Sequence, residues 1–160
     1  MIRKEFYLLV QPLTEKLYRF AHAILPDDLQ AEQLVVDSLN AYLIKEKKNI
    51  LGRQINLQSK KEIQILRRIF FKGILRYMSD IGLRRAQQLG EQFKLDTPTE
   101  FKAFYNLEPK ARMVLKLRYE AQFSVEEIEE IVQIPRYQVI EKIHNGRFLI
   151  VTDLNQGVAL

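Results

Sequence analysis

The segment SVEEIEEIVQIPRYQVIEKIHNGRFLIV, residues 124–151, predicts two helices separated by a very short turn. Ser124 is followed three residues later by Glu127, which is the spacing of a capping box at the start of a helix. That helix is expected over 125–132, and Gln133-Ile134-Pro135 then turns the chain into a second helix over 136–151. This spacing is typical of a helix-turn-helix, which sets its second helix in the major groove of DNA.

The second of these helices has an inner and an outer face. The inner face carries apolar or small residues at helical spacing, namely Val139, Ile143, Gly146 and Ile150. The outer face carries side chains that can bond base edges or phosphates, and its candidate DNA-binding residues are Arg136, Tyr137, Gln138, Lys142 and Asn145. Many solvated helices carry similar residues, so an ordinary exposed face is the alternative.

The rest of the chain also has the helical period. Glycine and proline are scarce, at 6 and 5 of 160 residues, and apolar residues recur every three or four positions. We therefore expect an all-α protein, with a loop or short frayed helix over 45–61 and further helices over 13–24, 29–45, 62–88, 99–105 and 109–120. The period is lost over 90–99, which predicts two small helical domains, 1–89 and 100–160, joined by a short linker.

The helix expected over 29–45 carries two apolar stripes. One of them suits the core and consists of Ala31, Leu34, Val35, Ser38 and Tyr42. The other consists of Val36, Leu39 and Leu43, with Glu32 at its end. A helix that is apolar on two faces either lies buried between neighbours or presents one face to a partner protein, and the sequence leaves both alternatives open.

The helix expected over 62–88 combines a core face with a row of cations. Its core face is predicted to contain Leu66, Ile69, Phe70, Gly73, Ile74, Tyr77 and Ile81. Arg68, Lys72 and Arg76 follow at four-residue spacing on the opposite face, and we call these three residues the basic stripe. Phe71 and Leu75 lie beside it, on the side expected to face water. Phe71 is therefore a candidate for stacking on single-stranded nucleic acid, and packing against another helix or the second domain is the alternative.

Charge is distributed unevenly along the chain, whose net charge is +5. Residues 1–89 hold 16 basic and 9 acidic side chains, a net +7, whereas residues 90–160 hold 9 and 11, a net −2. The segment 45–85 alone has a net charge of +9. This concentration suggests a polyanion as partner, and a solvated basic surface is the alternative.

Other features of the composition exclude several classes of protein. The chain has no cysteine, which excludes disulfides and thiolate metal sites and favours the cytoplasm. It has no apolar run near the roughly 18 residues of a membrane span. His22 and His144 fall in different predicted domains, so they make a poor pair of metal ligands, and no glycine-rich phosphate loop is present. We expect no enzymatic activity, no cofactor and no metal.

Three segments carry a resemblance to a known family. Residues 107–119 read LEPKARMVLKLRY, residues 31–37 read AEQLVVD, and residues 17–21 read LYRFA. The first is similar to the pattern Leu-Pro-x-x-x-Arg-x-Val-Leu-x-Leu-Arg-Tyr, and the second to Asp-Ala-Glu-Asp-Leu-Val-Gln-Glu. Both patterns belong to the small two-domain sigma factors of bacterial RNA polymerase, the extracytoplasmic-function group. The third segment resembles the opening helix of that group's first domain. The chain resembles this group over about residues 6–151.

The resemblance implies a transcription-initiation protein that binds core RNA polymerase and promoter DNA. It implies that polymerase is contacted through Glu32, Val36, Asp37, Leu39, Asn40 and Leu43. It implies that the first domain holds promoter DNA through Arg67, Arg68, Phe71, Lys72, Arg76 and Tyr77, and the second domain through the outer face of its last helix. An anti-sigma or other regulatory protein is a further expected partner.

Departures from the family's patterns support two alternatives. Residues 65–72 read ILRRIFFK and lack the Trp and Asn of the family's Trp-Leu-x-x-Ile-Ala-x-Asn. Glu129 stands where the family has a small Ala, and Glu141 replaces a hydroxyl. The chain is therefore alternatively a degenerate relative that binds a protein or an anionic ligand as a regulatory module. The weaker alternative is a stand-alone helix-turn-helix regulator, which is expected to dimerise on two half-sites.

Overall fold

The computed structural model describes residues 3–52, 58–90 and 101–158, and this part of the chain is all-α. Its helices are α1 (Arg3–Val10), α2 (Thr14–Ile24), α3 (Asp28–Lys45), α4 (Lys47–Leu51), α5 (Lys60–Leu89), α6 (Lys102–Tyr105), α7 (Pro109–Tyr119), α8 (Val125–Val132) and α9 (Arg136–Val158). The predicted helices over 13–24, 29–45, 62–88, 109–120, 125–132 and 136–151 are confirmed. Residues 99 and 100 of the helix predicted over 99–105 lie outside the described residues.

Helices α1, α2, α3 and α5 pack around the apolar side chains of the first half. Helix α1 was not predicted, although Phe6, Leu9 and Val10 recur at helical spacing and are buried. Phe6 meets Tyr42 of α3 and Phe70 of α5, with ring centroids 6.1 and 5.3 Å apart. Helix α1 therefore contributes Phe6 to an aromatic cluster shared with α3 and α5.

Helix α3 begins at a side-chain cap and buries the predicted stripe. Asp27 accepts a hydrogen bond from the backbone N–H of Gln30 at 2.9 Å, which satisfies one of the donors left free at a helix start. The stripe predicted for the core is buried at Ala31, Leu34, Val35, Ser38 and Tyr42. The second stripe is divided, because Val36 is 50% exposed, Leu39 is partly buried and Leu43 is only 6% exposed.

Helix α5 is buried on more of its circumference than the sequence predicted. Leu66, Phe70 and Ile74 are buried as expected, but Ile69 is 41% exposed, so its assignment to the core was wrong. Phe71 and Leu75 are buried, so the expectation that they face water was also wrong. Phe71 and Leu75 are covered because α2 and helices of the second half pack on that side of α5.

The described part of the second half consists of the short helix α6 followed by α7, α8 and α9. The predicted capping box of α8 is confirmed, because Ser124 Oγ accepts from the Glu127 N–H at 3.1 Å and Glu127 Oε1 accepts from the Ser124 N–H at 3.2 Å. Gln133 ends α8 in the left-handed conformation, at φ 60°. On α9, Val139 and Gly146 are buried and Ile143 is partly buried, whereas the side chain of Ile150 lies outside the described part.

The two halves of the chain are in contact. Helix α7 packs on α2, and α8 packs on α5. Buried side chains of both halves, from Phe6 to Val139, form one continuous apolar cluster. Of the predicted linker, 90–99, only Gly90 is described. The division into two domains therefore stays a prediction, and the described surfaces of the two halves cover each other.

Within the described ranges, no helix is both long enough and apolar enough to cross a membrane.

Candidate nucleic-acid interface

The basic stripe of α5 faces the acidic helix α8. Arg68 Nη2 lies 3.1 and 3.3 Å from the two carboxylate oxygens of Glu127. Lys72 Nζ lies 2.5 Å from Glu130 Oε2. Arg76 pairs within α5, with Asp80 at 3.3 Å. Each cation of the stripe therefore has a carboxylate partner, and two of the three partners come from the other half of the chain.

Aromatic rings lie beneath these ion pairs. Phe71 packs between Phe20 of α2 and Phe123, with ring centroids 5.9 and 6.0 Å away, and the Phe123 ring is stacked on it. The Arg68 guanidinium lies over Phe123 at 4.8 Å from the ring centroid, within the range of a cation–π interaction. Only 7% of Phe71 is exposed, so this ring cannot stack on a base while α8 is in place.

Glu127 is fixed in its charged form at this contact. Burial pushes the pKa of its carboxyl upward, but the hydrogen bond from the Ser124 backbone and the charges of Arg68 and Lys72 outweigh it. The net result is a pKa below the ordinary value of a glutamate. The same carboxylate thus caps α8 and pairs with the charge of Arg68 on α5.

The other two candidates on α5 hold helices together. Arg67 Nε donates to the carbonyl of Leu9 at 3.0 Å and ties α5 to α1. Tyr77 Oη donates to Glu46 at 3.3 Å, and the Lys45 ammonium lies 5.2 Å from the centre of its ring. Burial and the neighbouring Glu46 raise the pKa of Tyr77. Both residues have structural partners in this arrangement.

The candidates on α9 are more accessible. Tyr137 is 66% exposed, and Gln138 Nε2 donates to its hydroxyl at 3.2 Å. Arg136 pairs with Glu126 at 3.0 Å while remaining largely exposed, and Asn145 is exposed. Lys142 bonds Glu108, at the start of α7. The first turns of α9 therefore offer a polar outer face, as expected of a helix that reads a groove.

The polymerase-binding candidates on α3 include both exposed and buried residues. On α3, Glu32 and Asn40 are exposed and Val36 is half-exposed. Asp37 is partly exposed and pairs with Arg85 of α5 at 2.5 Å. Leu43 is buried, with 6% of its surface exposed, so in this arrangement it offers little surface to a partner.

Helix α1 adds exposed residues that the sequence analysis missed. Tyr7 and Leu8 are 39% and 56% exposed, and with Leu39 they line a shallow groove between α1 and α3. A helix predicted over residues 3–10 would place Tyr7 and Leu8 on an exposed face, because they lie on the side away from Phe6 and Leu9.

Arg112 joins the two halves from inside. Its guanidinium donates to the carbonyls of Ala23 at 2.5 Å and Ile24 at 3.2 Å, which lie at the end of α2. It also donates to the carbonyls of Tyr105 at 3.2 Å and of Leu107. Burial lowers its pKa to about 10, so it stays charged near neutral pH. The carbonyls that a helix end leaves without backbone partners thereby receive a cationic donor.

His22 forms a second polar link between the halves. Its Nδ1 lies 3.0 Å from the hydroxyl of Tyr105, and its Nε2 lies 3.7 Å from Asp28. Tyr18 donates to the same Asp28 carboxylate at 2.7 Å, and this hydrogen bond raises the pKa of Tyr18 to about 12. Across the described ranges, no group of three or more histidine, aspartate or glutamate side chains could hold a metal ion.

The stability of the protein is expected to fall below about pH 6.5 because of His22. Burial lowers the pKa of His22, assisted by Lys116 and Arg112 and opposed by Asp28 and Asp27. The unfolded chain therefore binds a proton at His22 more readily than the folded chain does. The contribution of neutral His22 to the free energy of unfolding is complete above about pH 6.5 and is lost as the pH falls through the folded-state pKa. Urea midpoints at about pH 7.5 and about pH 5.5 should differ less in His22→Gln than in the wild type.

His144→Gln is the control, because it removes the exposed histidine of α9 and leaves this cluster intact. It should retain the pH dependence of the wild type. An unchanged pH dependence in His22→Gln would contradict the assignment to His22.

No model of a known protein family matches the chain, and no curated protein is significantly similar to it in sequence.

Proposed function

We propose that this chain is a sigma-like transcription-initiation protein that binds core RNA polymerase through α3 and promoter DNA through α5 and α9. The observation that carries the proposal is the exposed face of α3. Glu32, Val36 and Asn40, within or beside the segment that resembles the family's polymerase-binding motif, are accessible. A factor of this kind acts in the cytoplasm, where its polymerase is found.

The surroundings of that face suit a protein partner. The half-exposed Val36 lies on the same helix as Leu39, which joins Tyr7 and Leu8 in the groove between α1 and α3. Exposed apolar residues grouped beside charged ones are characteristic of protein-binding surfaces. Glu32 and Asn40 supply the polar rim that such a surface needs.

The outer face of α9 supports the DNA-binding part of the proposal. Arg136 and Tyr137 are exposed at its first turn, and Asn145 is exposed further along. These side chains can bond phosphates and base edges. In this proposal α8 and the turn at Gln133 serve as the first helix and the turn of a helix-turn-helix, and α9 serves as its second helix.

A second candidate is a regulatory module with the same ancestry that does not initiate transcription. The observation in its favour is the pairing of the basic stripe with α8, which leaves Arg68 and Lys72 occupied. Such a module binds a protein or an anionic ligand and supports no promoter-specific transcription.

Pull-down of core polymerase tests the first candidate. Wild type should retain core polymerase, and the double variant Leu8→Asp/Val36→Asp should weaken that binding by about tenfold or more, because charges enter the apolar part of the surface. The matched control is Ile65→Asp, at a 52% exposed position of α5 outside this surface. Failure of the wild type to bind core polymerase would overturn the proposal.

Reconstituted transcription on genomic promoter fragments separates the two candidates. Initiation from defined promoters supports the sigma-like function. Binding of core polymerase without initiation supports the regulatory module.

A further inference from the structure

The contact between α5 and α8 matches charge with charge over an apolar base. Two cations of the basic stripe meet two carboxylates, Glu127 and Glu130, and the stacked rings of Phe71 and Phe123 lie below them. Phe123 has no exposed surface, and Leu75 of α5 has none either. Single-stranded nucleic acid presents the same combination to a protein, because each phosphate, like a carboxylate, is an anion and each base, like a phenylalanine, is a ring that can stack.

The acidic residues of α8 are not equivalent. Glu127 and Glu130 are directed at α5, whereas Glu126 pairs with Arg136 of α9. Glu129 forms no ion pair with any residue in the described part of α5. Net charge on α8 and contact with the stripe are therefore separable by substitution.

We propose that α8 is an intramolecular inhibitor that occupies the nucleic-acid-binding face of α5. In the closed arrangement described here, the carboxylates of Glu127 and Glu130 take the places of phosphates and Phe123 takes the place of a base. Nucleic acid binds Arg68, Lys72 and Phe71 only in an open arrangement from which α8 has moved away.

Competition follows from the geometry. Arg68 and Lys72 cannot pair with a carboxylate and a phosphate in the same place, and Phe71 cannot stack on Phe123 and on a base together. The observed affinity for nucleic acid is therefore the affinity of the open arrangement multiplied by its population. By reciprocity, whatever favours opening strengthens nucleic-acid binding, and nucleic acid favours opening.

The inference rests on the proposed function only in naming nucleic acid as the ligand of the stripe. It adds that the free protein conceals this surface, which the proposed function does not require. Polymerase binding through α3 enters none of the measurements below, so each proposal can fail while the other stands.

The first test compares two variants with the same change in net charge. Glu127→Gln/Glu130→Gln removes both carboxylates that face the stripe, and glutamine at position 127 preserves the capping box of α8. Glu120→Gln/Glu129→Gln removes two carboxylates of the second half that do not face the stripe, and it leaves Arg136 of α9 paired with Glu126. Binding of a fluorescent oligodeoxythymidine at low salt should be about tenfold tighter for the first variant, because two ion pairs favour closure.

Circular dichroism should show the same helix content in both variants and the wild type. Equal affinities of the two variants would overturn the inference, because the gain would then reflect net charge alone.

The second test locks the closed arrangement. The chain has no cysteine, so Lys72→Cys/Glu130→Cys provides one unique pair for a short bis-maleimide. Cross-linking should weaken oligodeoxythymidine binding by about tenfold or more relative to the same variant before reaction, since α8 can no longer leave. Unchanged affinity after complete cross-linking would overturn the inference.

Discussion

Replacing Arg112 with methionine is expected to lower the free energy of unfolding by about 3 kcal/mol. Arg112 is only 6% exposed, and its guanidinium donates to carbonyls of α2 and of the segment before α7. Methionine fills a similar volume but donates no hydrogen bond, so buried carbonyls at the end of α2 lose their partner. Urea unfolding followed by circular dichroism measures the change.

Two further variants make the test specific. Arg118→Met removes an arginine on the exposed side of α7 that donates to the Phe123 carbonyl at 3.1 Å, and it should cost less than about 1 kcal/mol. Arg112→Lys keeps the charge but cannot span both sets of carbonyls, so its stability should lie between those of wild type and Arg112→Met. Equal losses in Arg112→Met and Arg118→Met would contradict the role assigned to Arg112.

Phe123→Ala is the other substitution with a large expected effect, a loss of about 3–5 kcal/mol in the free energy of unfolding. Phe123 is fully buried, stacks on Phe71 and lies under Arg68. Its removal leaves a cavity where α5 meets the loop before α8. A dye that fluoresces on apolar surfaces should bind the variant more strongly, because Phe71 loses its cover.

The control for this prediction is Phe101→Ala, at a position that is 54% exposed. It should change the urea midpoint little, since few atoms lose packing partners. If Phe123→Ala were as mild as this control, the ring could not be a principal contact between the halves.

Local signals predicted much of the fold. The helix over 125–132 was anticipated with its capping box at Ser124, because both partners lie within three residues of each other. Helix α3 was anticipated because its apolar stripe has the helical period. Helix α1 was missed, since it is short and its polar and apolar residues form a weaker pattern.

The faces of α5 could not be predicted in the same way. Phe71 and Leu75 lie opposite the first core stripe, and nothing within residues 60–89 indicates that another helix covers them. That cover comes from Phe20 of α2 and from residues beyond 100, so it depends on packing between distant parts of the chain. Ile69 has the correct period for the core but is 41% exposed, so the period alone did not identify which residues are buried.

The sequence indicated the cations of the candidate site but not the side chains that they contact. The cations of α5 were identified, and the uneven charge along the chain indicated either a polyanion partner or a solvated basic surface. The opposite net charges of the two halves were also the signal that the two halves could meet. Only the structure brings Arg68 to Glu127 and Lys72 to Glu130.

Helix α8 is synthesised after the surface of α5 that it covers. A ribosome makes residues 60–89 before it makes 125–132, and at about 5–20 residues per second the delay lasts a few seconds. During that interval the nascent chain holds Arg68, Lys72 and Phe71 without their later partners, close to ribosomal RNA. Synthesis of the last quarter of the chain is thus the step that first conceals this surface.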